Sequence, residues 1–218
     1  MTRKIIALDF ETACAAPGNA CQIGLAWIDG ERVTRVEERL IRPKDMRFTF
    51  SWLHGIREEH VWDKPDFPDV LAEFHEELDG ALVLAHNAGF DAAVMRGCGR
   101  AYGHKLPRMR YLCTLWIARQ VWPELKSKGL ASMARHLGIQ FRHHNAAEDA
   151  RACAWVAIAA ARRVNALEIC DIPARLQVWR PPEVLVPERE IPLPVRVDME
   201  ASNTYIPVPA GAGAGISQ

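Results

Sequence analysis

Two acids, two residues apart, close the first apolar run of the chain, Lys4-Ile5-Ile6-Ala7-Leu8-Asp9-Phe10-Glu11-Thr12. In a strand, residues i and i+2 share a face, so Asp9 and Glu11 project together. Carboxylates at the end of a buried strand are costly unless something compensates them, and a divalent cation is the natural compensator. Two further acids stand at informative positions. Asp91 shares a helix face with Val94, Met95 and Cys98, and Asp149 falls on the inward side of a late helix. His144 precedes Asp149 by five residues. Carboxylate oxygens without thiolate suit magnesium or manganese over zinc. Two such ions about 4 Å apart can hold both the attacking and the leaving oxygen of an in-line phosphoryl displacement. A histidine near its ordinary pKa suits the accompanying base. The spacing H-x-x-x-x-D occurs twice, at His86/Asp91 and His144/Asp149, and His143/Glu148 has the same spacing. Position chooses among them: His86 ends a strand, Glu148 lies on a polar, Arg-rich helix edge, and His144 lies in a loop before the last helix.

These residues need elements to position them. Residues 4–12, 21–28 and 32–41 read as three antiparallel strands with the first one central, joined by the 13–20 loop and the Asp29-Gly30 turn. Val70, Leu71, Phe74 and Leu78 form the apolar stripe of an amphipathic helix over 65–79. Residues 81–85 read as a short, buried parallel strand. A helix to about Tyr102, a strand at 110–114, helices at 115–122 and 130–137, and an Ala-rich helix over 146–166 complete the pattern.

The segments Asp9-Phe10-Glu11-Thr12, His86-Asn87-Ala88-Gly89-Phe90-Asp91 and His144-Asn145-Ala146-Ala147-Glu148-Asp149 resemble, in order, the three motifs of the DEDDh 3′–5′ exonucleases. That family is similar to the proofreading epsilon subunit of bacterial DNA polymerase III. The resemblance covers about residues 5–166. Cys21-Gln22-Ile23-Gly24 resembles the family's second-strand segment, and Phe50 with His54-Gly55-Ile56 its terminal-nucleotide segment. The resemblance implies an α/β fold, a ribonuclease-H-like mixed five-stranded sheet with helices on both faces. It implies Asp9, Glu11, Asp91 and Asp149 as ligands of two Mg2+ (or Mn2+) ions, and His144 as general base. It implies substrate-binding roles for Phe10, Thr12 and His54, with Asn87 supporting the second motif. The implied reaction releases nucleoside 5′-monophosphates from single-stranded 3′ ends, DNA first and RNA as the alternative. A polymerase-associated binding module with secondary catalysis is the rival from another class. Many family members carry Thr and Gly after the first motif, whereas Ala13-Cys14 follow Thr12 here, so the loop after β-strand one is this chain's own.

Composition frames the rest. Lys+Arg and Asp+Glu both number 27, so net charge names no partner. The distribution is uneven: 58–91 holds ten acids and one base, and 96–144 ten bases and one acid, a candidate polyanion-facing surface. Trp52 and Trp62 flank the expected mouth of the site. Six scattered cysteines without C-x-x-C spacing suit a reduced, cytoplasmic protein, and no stretch is long enough to span a membrane. Residues 1–167 read as the exonuclease domain. Residues 168–218, with eight of the fourteen prolines, read as an extended tail that could dock a protein partner.

Overall fold

A computed structural model describes residues 4–176 and 183–184. The strands β1 (Ile5–Thr12), β2 (Ala20–Asp29) and β3 (Arg32–Leu40) come first. Two short helical turns, α1 (Ser51–His54) and α2 (Glu58–Val61), lead into α3 (Phe67–Leu78). Then come β4 (Leu82–Ala85), α4 (Ala88–Tyr102), β5 (Arg110–Cys113) and α5 (Thr114–Val121). The chain continues through α6 (Leu130–Leu137), α7 (Ala146–Arg163), α8 (Ile172–Arg175) and a two-residue strand, β6 (Glu183–Val184).

The sheet order is β3-β2-β1-β4-β5-β6. All five expected strands are present, and β6 adds a short sixth, antiparallel to β5. One expectation is corrected: β2, not β1, is the middle strand of the antiparallel meander. β1 becomes interior by pairing in parallel with β4 on its other side. Alternation along β1 then sorts the two faces. Ile6, Leu8 and Phe10 join Phe67, Leu71, Phe74 and Met95 of α3 and α4 in one core. Ala7 joins the other, with Ala150, Cys153, Ala154 and Ala157 of α7 and Ile117 of α5. Asp9 and Glu11, two and four residues beyond Ala7, therefore lie on the α7 face.

Small side chains bring α7 close to that face. Gly24 on β2 meets its start: a Cβ there would fall 2.0 Å from the Ala146 carbonyl. Folded packing also runs past residue 167, since Ile169 and Ile172 are buried in the α7-side core. The rest of the proline-rich stretch, including Ile191–Val195, lies outside the described residues. Among the described residues, no helix is long and apolar enough to cross a membrane.

Candidate metal and active site

β1 outruns its parallel neighbour. Its pairing with β4 stops at Ala7↔Leu84, so the segment carrying Asp9 and Glu11 overhangs the end of β4. The Phe10 N–H, left without a strand partner on that side, donates to Asp91 Oδ1 at 3.1 Å. Asp91 reaches it from the first turn of α4, which starts at once because Asn87 adopts φ 78, ψ 48. Asn tolerates that left-handed conformation better than most residues.

Asp149 is positioned from the opposite face by the start of α7. Asn145 caps the helix, accepting from the Glu148 N–H at 3.0 Å. The Ala146 N–H donates to Gln22 Oε1 at 3.2 Å, and Gln22 Nε2 and Asn145 Nδ2 each donate to Glu38 Oε2 at 3.1 Å. This partly buried cluster ties β2 and β3 to the first turn of α7. His144, with φ 65, turns back so that its N–H donates to Asp149 Oδ2 at 3.0 Å.

The structure thus brings three of the four acids together: one oxygen each of Asp9, Glu11 and Asp149 lies within 4.8 Å of the others. Asp91 is outside that trio but electrostatically part of it. Burial, then the charges of Asp91, Asp149 and Glu11, pushes Asp9 well above the usual carboxylate range. Burial, then Asp149, raises Glu11 to about 7. Burial raises Asp91 to about 8 against the opposing Phe10 hydrogen bond, and Asp149 to about 7 against the His144 hydrogen bond. Burial and mutual repulsion push all four acids toward the neutral form, and a cation relieves such an arrangement. Among the described residues, Asp149 Oδ1 is buried without a hydrogen-bond partner. An all-oxygen set with one unused buried oxygen fits a hard divalent ion.

Asp9, Glu11 and Asp149 line a cleft of about 380 Å³, and Asp91 lies outside its lining. His144 lies at its edge, half-buried, and burial lowers its pKa. His54 and Thr12 line the cleft, but both ring nitrogens of His54 are engaged: Nδ1 accepts from the Ile56 N–H, so Nε2 donates to the Thr12 carbonyl. His54 is a pin between α1 and β1 and offers the cleft only ring carbon. The Phe10 ring packs inward, 2% exposed, against Phe67. Asn87 is exposed and outside the cleft lining, and its part is the turn into α4. His86 lines the cleft with its ring held by Thr114 and the Lys128 carbonyl, and burial brings its pKa down to about 4. Trp52 stands at the cleft 80% exposed, while Trp62 is not part of the lining. The 13–19 loop closes on itself through Ala13 N–H to the Asn19 carbonyl, and the Ala13 carbonyl accepts from Thr49 and Phe50, holding the segment that leads to Trp52.

Sequence reasoning missed Glu38 and the polar role of Gln22. A glutamine inside an apolar strand was the available signal, and Asn145 with Glu148 three residues on was a readable cap. Nothing local pointed to Glu38, whose partners are 16 and 107 residues away.

Comparison with known proteins places this geometry. The PolC-type DNA polymerase III of Thermotoga maritima is 33% identical over 156 residues, 69% of this chain and 11% of that polymerase. The PolC-type enzyme of Caldanaerobacter subterraneus subsp. tengcongensis is 28% identical over 173 residues, 78% of this chain and 12% of that one. The chain spans about a tenth of the length of these curated relatives. Exonuclease X in complex with 5′-overhanging duplex DNA has the same fold, with TM-score 0.63 and 22% identity over 77% of this chain and 98% of that one. So does the nuclease domain of 3′hExo, a DEDDh family member bound to rAMP, with TM-score 0.64 and 17% identity over 76% and 94% of the two chains. The profile of the RNase_T exonucleases runs through residues 6–157 and so takes in all three acid motifs, and the chain belongs to that exonuclease family.

Proposed function

We propose that this chain is a metal-dependent 3′–5′ exonuclease that removes nucleoside 5′-monophosphates from single-stranded ends. The observation that carries the reading is the convergence of Asp9, Glu11 and Asp149 oxygens within 4.8 Å on the cleft floor, beside His144. DNA is the proposed substrate, supported by the match to PolC-type DNA polymerases. Asp9, Glu11, Asp91 and Asp149 are the proposed ligands of two Mg2+ (or Mn2+) ions, whose charge when bound stabilises the attacking and leaving oxygens. An imidazole nitrogen of His144 takes a proton from the attacking water. The water oxygen bonds to phosphorus as the bond to the penultimate 3′ oxygen breaks, and that oxygen takes up a proton from solvent. The hydrogen bond from the His144 N–H to Asp149 keeps base and acid in register. Trp52 is the proposed stacking platform, a contact worth about 1–3 kcal/mol per base in single-strand binders.

The match to polymerases also favours a second reading, a polymerase-associated module whose main work is binding, with the proline-rich 168–218 segment as the docking tail beyond a nuclease domain of 1–167. The cytoplasm is the proposed location, supported by six cysteines without a disulfide among the described residues.

The test uses 3′- and 5′-labelled single-stranded DNA and RNA with Mg2+, Mn2+ or EDTA. Mononucleotide release from the 3′ end of DNA with either metal, none with EDTA and none from Asp9→Ala is expected. Faster trimming of RNA would give the exoribonuclease reading. Binding without release under any condition would give the module, and full activity in Asp9→Ala would remove the site.

A further inference from the structure

His143 and His144 are consecutive, and consecutive side chains of an extended chain point to opposite sides. Here the left-handed backbone of His144, φ 65, sits in a turn that brings both rings together. Their centroids are 3.8 Å apart and their planes are inclined by 31°. The Phe141 ring backs His143 at 5.6 Å. His143, His144 and Asp149 each offer one ligand atom, and these atoms all lie within 4.8 Å of one another. Asp149 is only 4% exposed. Its Oδ2 takes the His144 N–H, and its Oδ1 is buried with no hydrogen-bond partner among the described residues.

This trio differs in chemistry from the Asp9–Glu11–Asp149 cluster. Magnesium keeps oxygen ligands and water, whereas imidazole nitrogen favours zinc and its transition-metal neighbours. Tetrahedral zinc with bonds of about 2.1 Å needs ligand atoms about 3.4 Å apart. Each lone pair lies in its ring plane, so the two rings turn out of their stack to meet one ion, and the exposed side of His143 leaves room for that turn and for water at a fourth position.

We propose that His143, His144 and Asp149 form a Zn2+ site that shares Asp149 with the nucleolytic centre and adds two imidazole nitrogens to it. The overlap has a consequence, which rests on the exonuclease reading. Zinc at this site holds the nitrogen lone pair of His144 and a carboxylate of Asp149, so the base can no longer take a proton. Zinc then switches the nuclease off in the presence of magnesium, and His143, which no step of hydrolysis uses, is the residue that makes the switch.

The experiment titrates the full chain with Zn2+ by calorimetry and with Co2+ by visible absorption, both in excess Mg2+. One equivalent of Zn2+ and the Co2+ bands of a nitrogen-containing site are expected. His143→Gln, checked for fold by circular dichroism, weakens Zn2+ binding at least about tenfold, since even loss of an outer-shell partner costs that much. Asp9→Ala keeps it. Zn2+ binding that is unchanged in His143→Gln, or lost in Asp9→Ala alone, overturns the site. In the 3′-end assay with Mg2+, wild type is inhibited by Zn2+ and His143→Gln needs at least about tenfold more. Equal inhibition of both overturns the switch. A chain that hydrolyses nothing yet loses Zn2+ binding in His143→Gln keeps the site and drops the exonuclease reading instead.

Discussion

Asp149 divides its two oxygens between structure and chemistry. One accepts from the His144 backbone and the other is buried with no hydrogen-bond partner among the described residues. The same contact sets the proposed base beside the acid, so His144→Ala removes the proton acceptor while the carboxylates stay. Turnover is expected to fall roughly 10²- to 10⁴-fold, with Mg2+ binding by calorimetry little changed. The wild-type pH profile follows from the direction of the His144 shift. A base works when neutral, and burial lowers this pKa, so turnover rises with pH around a midpoint below the ordinary 6.5. A midpoint above that value, or unchanged turnover in His144→Ala, would assign proton removal elsewhere.

At the scale of elements, the site depends on how closely α7 approaches β2. Gly24 permits that approach, and Gln22, Glu38 and Asn145 hold it. Gly24→Ala drives a methyl into the Ala146 backbone, which cannot swing aside as a side chain does. The expected loss of stability in urea unfolding is above about 3 kcal/mol, the upper end of ordinary overpacking. Because Asp149 rides on the first turn of α7, surviving folded protein should also lose activity. A near-neutral Gly24→Ala would mean that α7 is free to shift without disturbing the acids. The motif Gln22-Ile23-Gly24 was visible in the sequence as a resemblance, but its reason was not, because both partners are contributed from more than 100 residues away. The overhang of β1 past β4 was likewise invisible, since strand register is a property of pairs.

At the scale of the molecule, four acids with raised pKa values make stability depend on pH and cation. Glu11 and Asp149 stand at about 7 and Asp91 at about 8 in the fold. Their ordinary values are 4.5 for Glu and 3.8 for Asp. Between those limits the folded chain binds more protons than the unfolded one, so the metal-free protein loses stability as pH rises. A divalent ion that binds only the folded state reverses this and competes with protons. Mg2+ at about a hundredfold over Kd should add about 2.7 kcal/mol, or roughly 5–10 °C in melting midpoint. The shift should be large at about pH 8 and small at about pH 5. Equal shifts at both pH values would mean that the ion does not bind these acids. The acidic stretch of the sequence has a simpler fate elsewhere: Glu73 and Glu77 pair with Arg39 and Arg35 across α3 and β3. Exposed pairs of this kind contribute little to stability.

The sequence by itself determined the order of the principal strands and helices and the identity of the candidate acids, and its family resemblance implied the two-faced sheet. Alternation and helical period are local, and a carboxylate at an apolar position is conspicuous wherever it falls. Only the tertiary structure decided which groups meet. It gathered Asp9, Glu11 and Asp149, set Asp91 on the Phe10 N–H, engaged both nitrogens of His54, and folded His143 beside His144. Each of these depends on register, on the depth of a helix against a sheet, or on a positive φ, and none of those is written in the local pattern of residues.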